Sequence, residues 1–137
     1  ALGTAGIIET AENIVKNKDA AASERLRQLL IAHIMPLAER ADYLQTFVNE
    51  RKWLPSESRR RIGRMSRRIE AIFEQILREG MRRGEFRKDL NPRLATLGFL
   101  GMMNAVPSWH DREKVSLDLI ARSLADLAIE GIQPTNV

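Results

Sequence analysis

The sequence predicts an all-α domain of about six helices packed as an orthogonal or antiparallel bundle. Ala, Leu, Arg and Glu, which are strong helix formers, dominate the composition. Aromatic residues make up only 5%, and the chain has no runs of alternating β-branched residues. Apolar residues recur at helical spacing between Pro, Gly and helix-capping residues, so each interval between these signals is interpreted as one helix.

The length and the residue types that are missing limit the class of protein. A chain of 137 residues fits one domain, residues 1–137, and can bury a core of its own. Because the chain has no cysteine, disulfides and thiolate metal sites are excluded and a reducing cytoplasm is expected. No apolar stretch reaches the roughly 18 residues that a membrane span needs, and Ala1–Gly6 lacks the basic start of a signal peptide.

The first two predicted helices run from about Gly6 to Asn17 and from about Ala20 to Glu39. Asp19 is the expected N-cap of the second helix, because a short acidic side chain can accept the free N–H groups there. Pro36 lies inside this helix and should kink it, since proline supplies no N–H to the preceding turn.

The third predicted helix is short, from about Tyr43 to Arg51, and residues 53–56 form a break. The fourth is long and extends to about Arg83. Gly84 is expected to end it, because glycine adopts the left-handed conformation that closes many helices.

The last two predicted helices have clear start signals. Asn91 followed by Pro92 indicates an N-cap and a first helical position, and this fifth helix should stop before Pro107. Ser116 is the expected N-cap of the sixth helix, which Gly131 closes.

A search for catalytic groups finds none that form a recognisable arrangement. The chain has two histidines, His33 and His110, no cysteine nucleophile, and no Gly-rich phosphate loop or metal-ligand spacing. We therefore expect no enzyme activity, cofactor or metal. His33 lies on an apolar helix face, where it is either a core histidine bonded to a backbone carbonyl or a polar contact in a cavity.

The net charge of +4 is concentrated in one segment of the fourth helix. Within ten residues it carries Arg59, Arg60, Arg61, Arg64, Arg67 and Arg68. One basic patch on one helix is a local feature and not the footprint of a nucleic-acid-binding surface. Two interpretations stay open: a solvated outer face, or a phosphate contact in which Arg64 and Arg68 take part.

Small residues follow one side of the fifth helix, which predicts close approach of another helix. A helix-interior glycine costs up to about 1 kcal/mol relative to alanine, so two of them need a packing reason. The neighbour belongs either to the same chain or to a second copy. In the second case, two helices from each copy form a four-helix bundle and the protein is a homodimer. The predicted interface comprises Leu94, Gly98, Gly101 and Ala105 of the fifth helix and Leu117, Ile120, Ala121, Leu124, Leu127 and Ala128 of the sixth.

The order of several short phrases resembles the effector domain of TetR/AcrR-family transcriptional regulators. These phrases are residues 22–33, residues 80–87 (which with the preceding Glu79 give the pattern EGxxxGxF), residues 89–95, residues 101–104, residues 109–110, and residues 120–127 with residues 131–132. The subgroup that responds to lipids and acyl-CoA thioesters is the most similar. The resemblance implies that the last two helices form the dimer interface.

The resemblance also implies a ligand cavity between the preceding helices. Its expected lining is His33, Ile34, Leu37, Phe47, Met65, Ile69, Phe73 and Asn104. The family carries a helix-turn-helix head before this domain, and these residues contain none, so DNA contact is expected only through that separate domain. The predicted function is the ligand-sensing and dimerisation domain of a TetR-type repressor with an apolar or acyl-CoA-like effector. The alternative is a free-standing helical protein-interaction module.

Overall fold

The computed structural model describes residues 4–39 and 56–134, and this part of the chain is helical without strands. Its five α-helices are α1 (Thr4–Lys16), α2 (Ala22–Glu39), α3 (Ser56–Arg82), α4 (Pro92–Trp109) and α5 (Leu117–Gly131), with a short 3-10 turn at His110–Arg112. The predicted all-α class is confirmed. The predicted helix from Tyr43 to Arg51 lies outside the described residues.

Helix α2 is the centre of the bundle and contacts each of the other four helices. Its apolar stripe of Leu26, Leu30 and Ile34, spaced four residues apart, has no exposed surface. Helix α1 packs against α2 and α3, and α5 packs mainly along α2. The core therefore forms around one helix, because only a central helix can bury side chains in several directions.

The start signals of α4 and α5 act as the sequence predicts. The side chain of Asn91 accepts a hydrogen bond from the backbone N–H of Leu94 at 3.1 Å. Ser116 accepts from the N–H of Leu119 at the same distance of 3.1 Å. The end of α3 is also confirmed, since Gly84 has a φ of 77°, in the left-handed region.

The start of α2 differs from the prediction. The helix begins at Ala22, and the carboxylate of Glu85 caps it from the loop after α3. That carboxylate accepts from the backbone N–H groups of Ala22 at 3.0 Å and Ser23 at 3.1 Å. The expected cap by Asp19 is therefore wrong, because a partner distant in sequence satisfies these donors.

Helix α4 continues through Pro107 to Trp109, so the predicted stop before Pro107 is wrong. Proline removes only its own N–H from the hydrogen-bond ladder. The following turn still closes, because the N–H of His110 donates to the carbonyl of Val106. Val106 is fully buried, so core packing holds this turn in place. Helix α2 continues through Pro36 to Glu39, as the sequence predicts.

Candidate functional site

Three helices bring His33 of α2, Phe73 of α3 and Asn104 of α4 together. The Nε2–H of His33 donates to Oδ1 of Asn104 at 3.3 Å. The imidazole stands edge-on to the ring of Phe73, with centroids 6.2 Å apart and planes at 85°. Phe73 is fully buried and Asn104 is exposed. The polar pair thus lies where the core meets the surface, and the histidine bonds a side-chain amide from another helix.

The surroundings of His33 favour its neutral form. Burial lowers the pKa of His33 below its usual value, and the hydrogen bond with Asn104 opposes this effect only in part. A neutral imidazole that donates through Nε2 keeps Nδ1 as an acceptor. The site can therefore offer both donor and acceptor groups to an uncharged polar part of a ligand.

The other predicted lining residues differ in how much surface they expose. Ile34 is fully buried and Ile69 is nearly so, and both belong to the core. Leu37 and Met65 are half-buried. Phe47 lies outside the described residues.

An apolar surface covers the outer sides of α4 and α5. Its most exposed members are Leu94 at 65% and Leu127 at 62%. A side-chain carbon added at Gly98 or Gly101 would meet no atom of the described chain within 4 Å. Packing within the described chain therefore does not account for these two glycines. We name this surface the α4–α5 face; it comprises Leu94, Leu97, Gly98, Gly101, Ala105, Leu119 and Leu127.

Part of the predicted dimer interface lies inside the chain's own core. Ile120 is 6% exposed, Ala121 is fully buried and Ala128 is 5% exposed. These residues are on the inner side of α5, which packs along α2, so they have little surface left for a partner. Leu117 and Leu124 are half-buried and border the α4–α5 face.

A buried ionic network, which the sequence did not indicate, connects α1, α2 and α3. Arg25 is fully buried, and its Nη2 lies 2.7 Å from Oε2 of Glu79. Its remaining N–H groups donate to the carbonyls of Val15 and Ala20, each at 3.2 Å. Lys18 also pairs with Glu79. Arg25 immediately precedes Leu26 of the apolar stripe, so it projects about 100° around the helix from that residue. The amphipathic pattern alone therefore predicts a surface position for Arg25.

Within the described ranges, no three metal-ligating side chains form a group that could hold a metal ion. No helix of that part is both long enough and apolar enough to cross a membrane.

Comparison with protein families identifies the domain. A family model described as "Tetracyclin repressor-like, C-terminal domain" matches residues 19–132. The chain belongs to this family. The TetR resemblance predicted from the sequence is thereby confirmed, and the domain is the C-terminal, ligand-binding domain of a TetR-type regulator.

Solved TetR-family structures share the fold of this TetR-like domain. The regulator PfmR from Thermus thermophilus is 26% identical, with a TM-score of 0.82, over 94% of this chain and 70% of that one. FadR from Bacillus subtilis, solved with stearoyl-CoA, is 28% identical, with a TM-score of 0.70, over 95% and 70%. KstR2 from Mycobacterium tuberculosis, a ketosteroid transcriptional regulator, shows the same fold at 18% identity, with a TM-score of 0.82 over 95% and 67%. A comparison with curated protein sequences gave no match.

The phrase EGxxxGxF of this TetR-like domain has a structural explanation. Gly80 is buried, and a side-chain carbon there would overlap the ring of Phe86. Gly84 supplies the left-handed turn that brings Phe86 back over α3. The first glutamate, Glu79, belongs to the buried ionic network. Each fixed position of the phrase thus serves the packing at the end of α3.

Proposed function

We propose that this domain senses a small effector and dimerises within a TetR-type transcriptional repressor. Binding of an apolar or acyl-CoA-like effector would favour one arrangement of the helices and so control DNA binding by an N-terminal head. The family match carries this proposal. We also propose that the protein acts in the cytoplasm, where a DNA-binding regulator would meet its DNA. We further propose that the domain binds its effector without catalysing a reaction.

The effector site that we propose lies around His33, Phe73 and Asn104. Ligand pockets in proteins are mainly apolar with a few polar groups that fix orientation. Here the half-buried Leu37 and Met65 would supply apolar contact, and the imidazole–amide pair would supply polar contact. The Bacillus subtilis FadR structure, which contains stearoyl-CoA, supports an acyl thioester as the ligand class.

The effector proposal is tested by ligand binding to the wild-type chain and to Asn104→Ala. We expect acyl-CoAs to raise the melting temperature and to be seen bound by native mass spectrometry. Asn104→Ala removes the side-chain amide that would bond the ligand, a contact worth about 1 kcal/mol. The affinity of this variant for acyl-CoA should therefore fall roughly fivefold. Asn13→Ala, an exposed change on α1, is the matched control. Absence of binding across fatty acids, acyl-CoAs and steroids would contradict the proposal.

We propose that the α4–α5 face pairs with the same face of a second copy to form a four-helix bundle. Fully burying one leucine side chain stabilises an interface by about 2 kcal/mol, and this face exposes several. From Leu94 to Trp109 the sequence contains no charged residue, so the α4 side of this interface would bury no charge. Gly98 and Gly101 would allow the paired helices to approach closely.

The dimer proposal is tested by light scattering. The wild-type chain should have twice its 15.6 kDa monomer mass. Gly101→Leu should shift the protein to monomer, because the new side chain would occupy the space of the partner helix. Ser66→Leu adds the same side chain to an exposed position of α3 and should leave the mass unchanged. A wild-type chain that stays monomeric at every concentration would rule out this dimer.

A further inference from the structure

The first half of α3 forms a basic groove on its outer face. Ser56, Arg59, Arg60, Gly63 and Arg67 line a surface pocket of about 460 Å³, which we name the arginine groove. Nη2 of Arg59 donates to the hydroxyl of Ser56 at 3.4 Å. The guanidinium of Arg67 lies over Gly63, since a side-chain carbon added there would be 3.3 Å from its Nη1. The glycine thus forms the floor of the groove beneath the guanidinium of Arg67.

Among the described residues, the arginines of this groove differ from other arginines in having no carboxylate partner. Arg68 pairs with Glu12 at 2.6 Å, and Arg93 pairs with two glutamates of α3. In the described ranges, no acidic side chain forms an ion pair with Arg59, Arg60 or Arg67. Like charges held close together repel, so this arrangement favours an anion that binds between them.

Phosphate is the anion that suits these donors. A guanidinium offers paired N–H groups that match two phosphate oxygens, and the hydroxyl of Ser56 adds a further donor. Gly63 is unfavourable inside a helix, and among the described residues a side-chain carbon added there would meet only the flexible end of Arg67. Its lack of a side chain lets the guanidinium of Arg67, and an anion bound to that guanidinium, lie close to the helix.

We propose that the arginine groove binds the phosphate groups of the coenzyme A moiety of the effector. Arg59 precedes Phe73 by about four turns, roughly 21 Å along α3. An acyl-CoA carries its phosphates at the far end of an extended arm and can reach both positions. This inference rests on the proposed effector function. It replaces Arg64 and Arg68 as the expected phosphate contacts, since neither lines the groove and Arg68 is paired with Glu12.

The test measures, by calorimetry, the affinity of the 137-residue chain for palmitoyl-CoA and for palmitate. The double variant Arg60→Gln/Arg67→Gln should lose about tenfold or more in affinity for palmitoyl-CoA and stay within about twofold for palmitate. Its affinity for palmitoyl-CoA should also depend less on salt. The control Arg61→Gln/Arg64→Gln removes the same charge from the same helix outside the groove and should change both affinities little. A melting curve verifies that each variant is folded.

The outcomes separate this inference from the effector proposal. Equal effects of the groove and control variants on palmitoyl-CoA would overturn the phosphate site and leave the effector proposal standing. A wild-type chain that binds neither compound would overturn both. A groove variant that loses affinity for duplex DNA, with palmitoyl-CoA binding unchanged, would assign the groove to nucleic acid and overturn the inference. A second variant, Gly63→Asp, places a negative charge on the groove floor and should weaken palmitoyl-CoA binding at least as strongly.

Discussion

At the scale of single residues, Gly80 shows how closely the end of α3 is packed. Gly80→Ala would place a methyl group against the ring of Phe86, which is only 1% exposed. Overpacking of a core typically costs 1–3 kcal/mol, so we expect a loss of about 3 kcal/mol in the free energy of unfolding, measured with urea.

The matched control for this change is Gly63→Ala in the same helix. Its new methyl group would meet only the flexible end of Arg67. Alanine is a better helix former, so stability should stay equal or rise by up to about 1 kcal/mol. Equal losses at the two positions would show that the Phe86 contact is not the cause.

Arg25 is the second residue whose replacement should be costly. Arg25→Met removes the donors that the carbonyls of Val15 and Ala20 accept from, and it leaves Glu79 with Lys18 as its remaining cation. Breaking a buried ion pair by removing one partner costs about 3 kcal/mol, which urea unfolding would measure. The control Arg27→Met removes a pair with Asp126 that is about 35% and 46% exposed and should cost less than about 1 kcal/mol. If both variants lose the same stability, burial of Arg25 is not the decisive factor.

At the scale of helices, local signals were predictable and distant ones were not. Asn91 and Ser116 cap helices through an N–H only three residues ahead, so adjacent residues contain the whole signal. The cap of α2 comes from Glu85, more than sixty residues away, and no local pattern encodes that contact. Pro107 is a strong local stop signal, yet the burial of Val106 keeps the chain helical there.

The Glu85 cap gives a prediction for α2. Burial would raise the pKa of Glu85, but hydrogen bonds from Ser23 and Ala22 and the charge of Arg83 lower it below 4.5 overall. The stabilisation is therefore present above that pH and is lost as the pH falls. Glu85→Gln should cost about 1 kcal/mol at pH 7 and much less near pH 3, measured by urea unfolding. Glu113→Gln, an exposed change, should cost nothing at either pH. A loss that does not depend on pH would contradict a charged cap.

At the scale of the whole molecule, the sequence predicted which helices have apolar stripes but not which side of each stripe is covered. His33, Phe73 and Asn104 do come together, because stripes on three helices converge there. The apolar stripe of α5 is wider than the surface that one neighbouring helix covers. Its inner residues therefore pack on α2, and Leu127 remains exposed. Which part of a broad stripe meets a neighbour depends on the packing of all helices at once, and a single helix does not contain that information. The effector and the dimer partner stay predictions for the same reason.

The pH dependence of unfolding tests the whole bundle at once. Burial lowers the pKa of His33 from 6.5 in the folded chain. Below pH 6.5 the unfolded chain therefore binds a proton more readily than the folded chain, so the free energy of unfolding falls. Burial would raise the pKa of Glu79, but Lys18, Arg25 and Gln75 lower it from 4.5 to about 2, so its stabilisation is lost as the pH falls through that range. We therefore expect two stages of acid destabilisation, measured by urea unfolding at one protein concentration. His33→Gln should remove the first stage, His110→Gln should retain it, and a first stage that survives His33→Gln would assign it to another group.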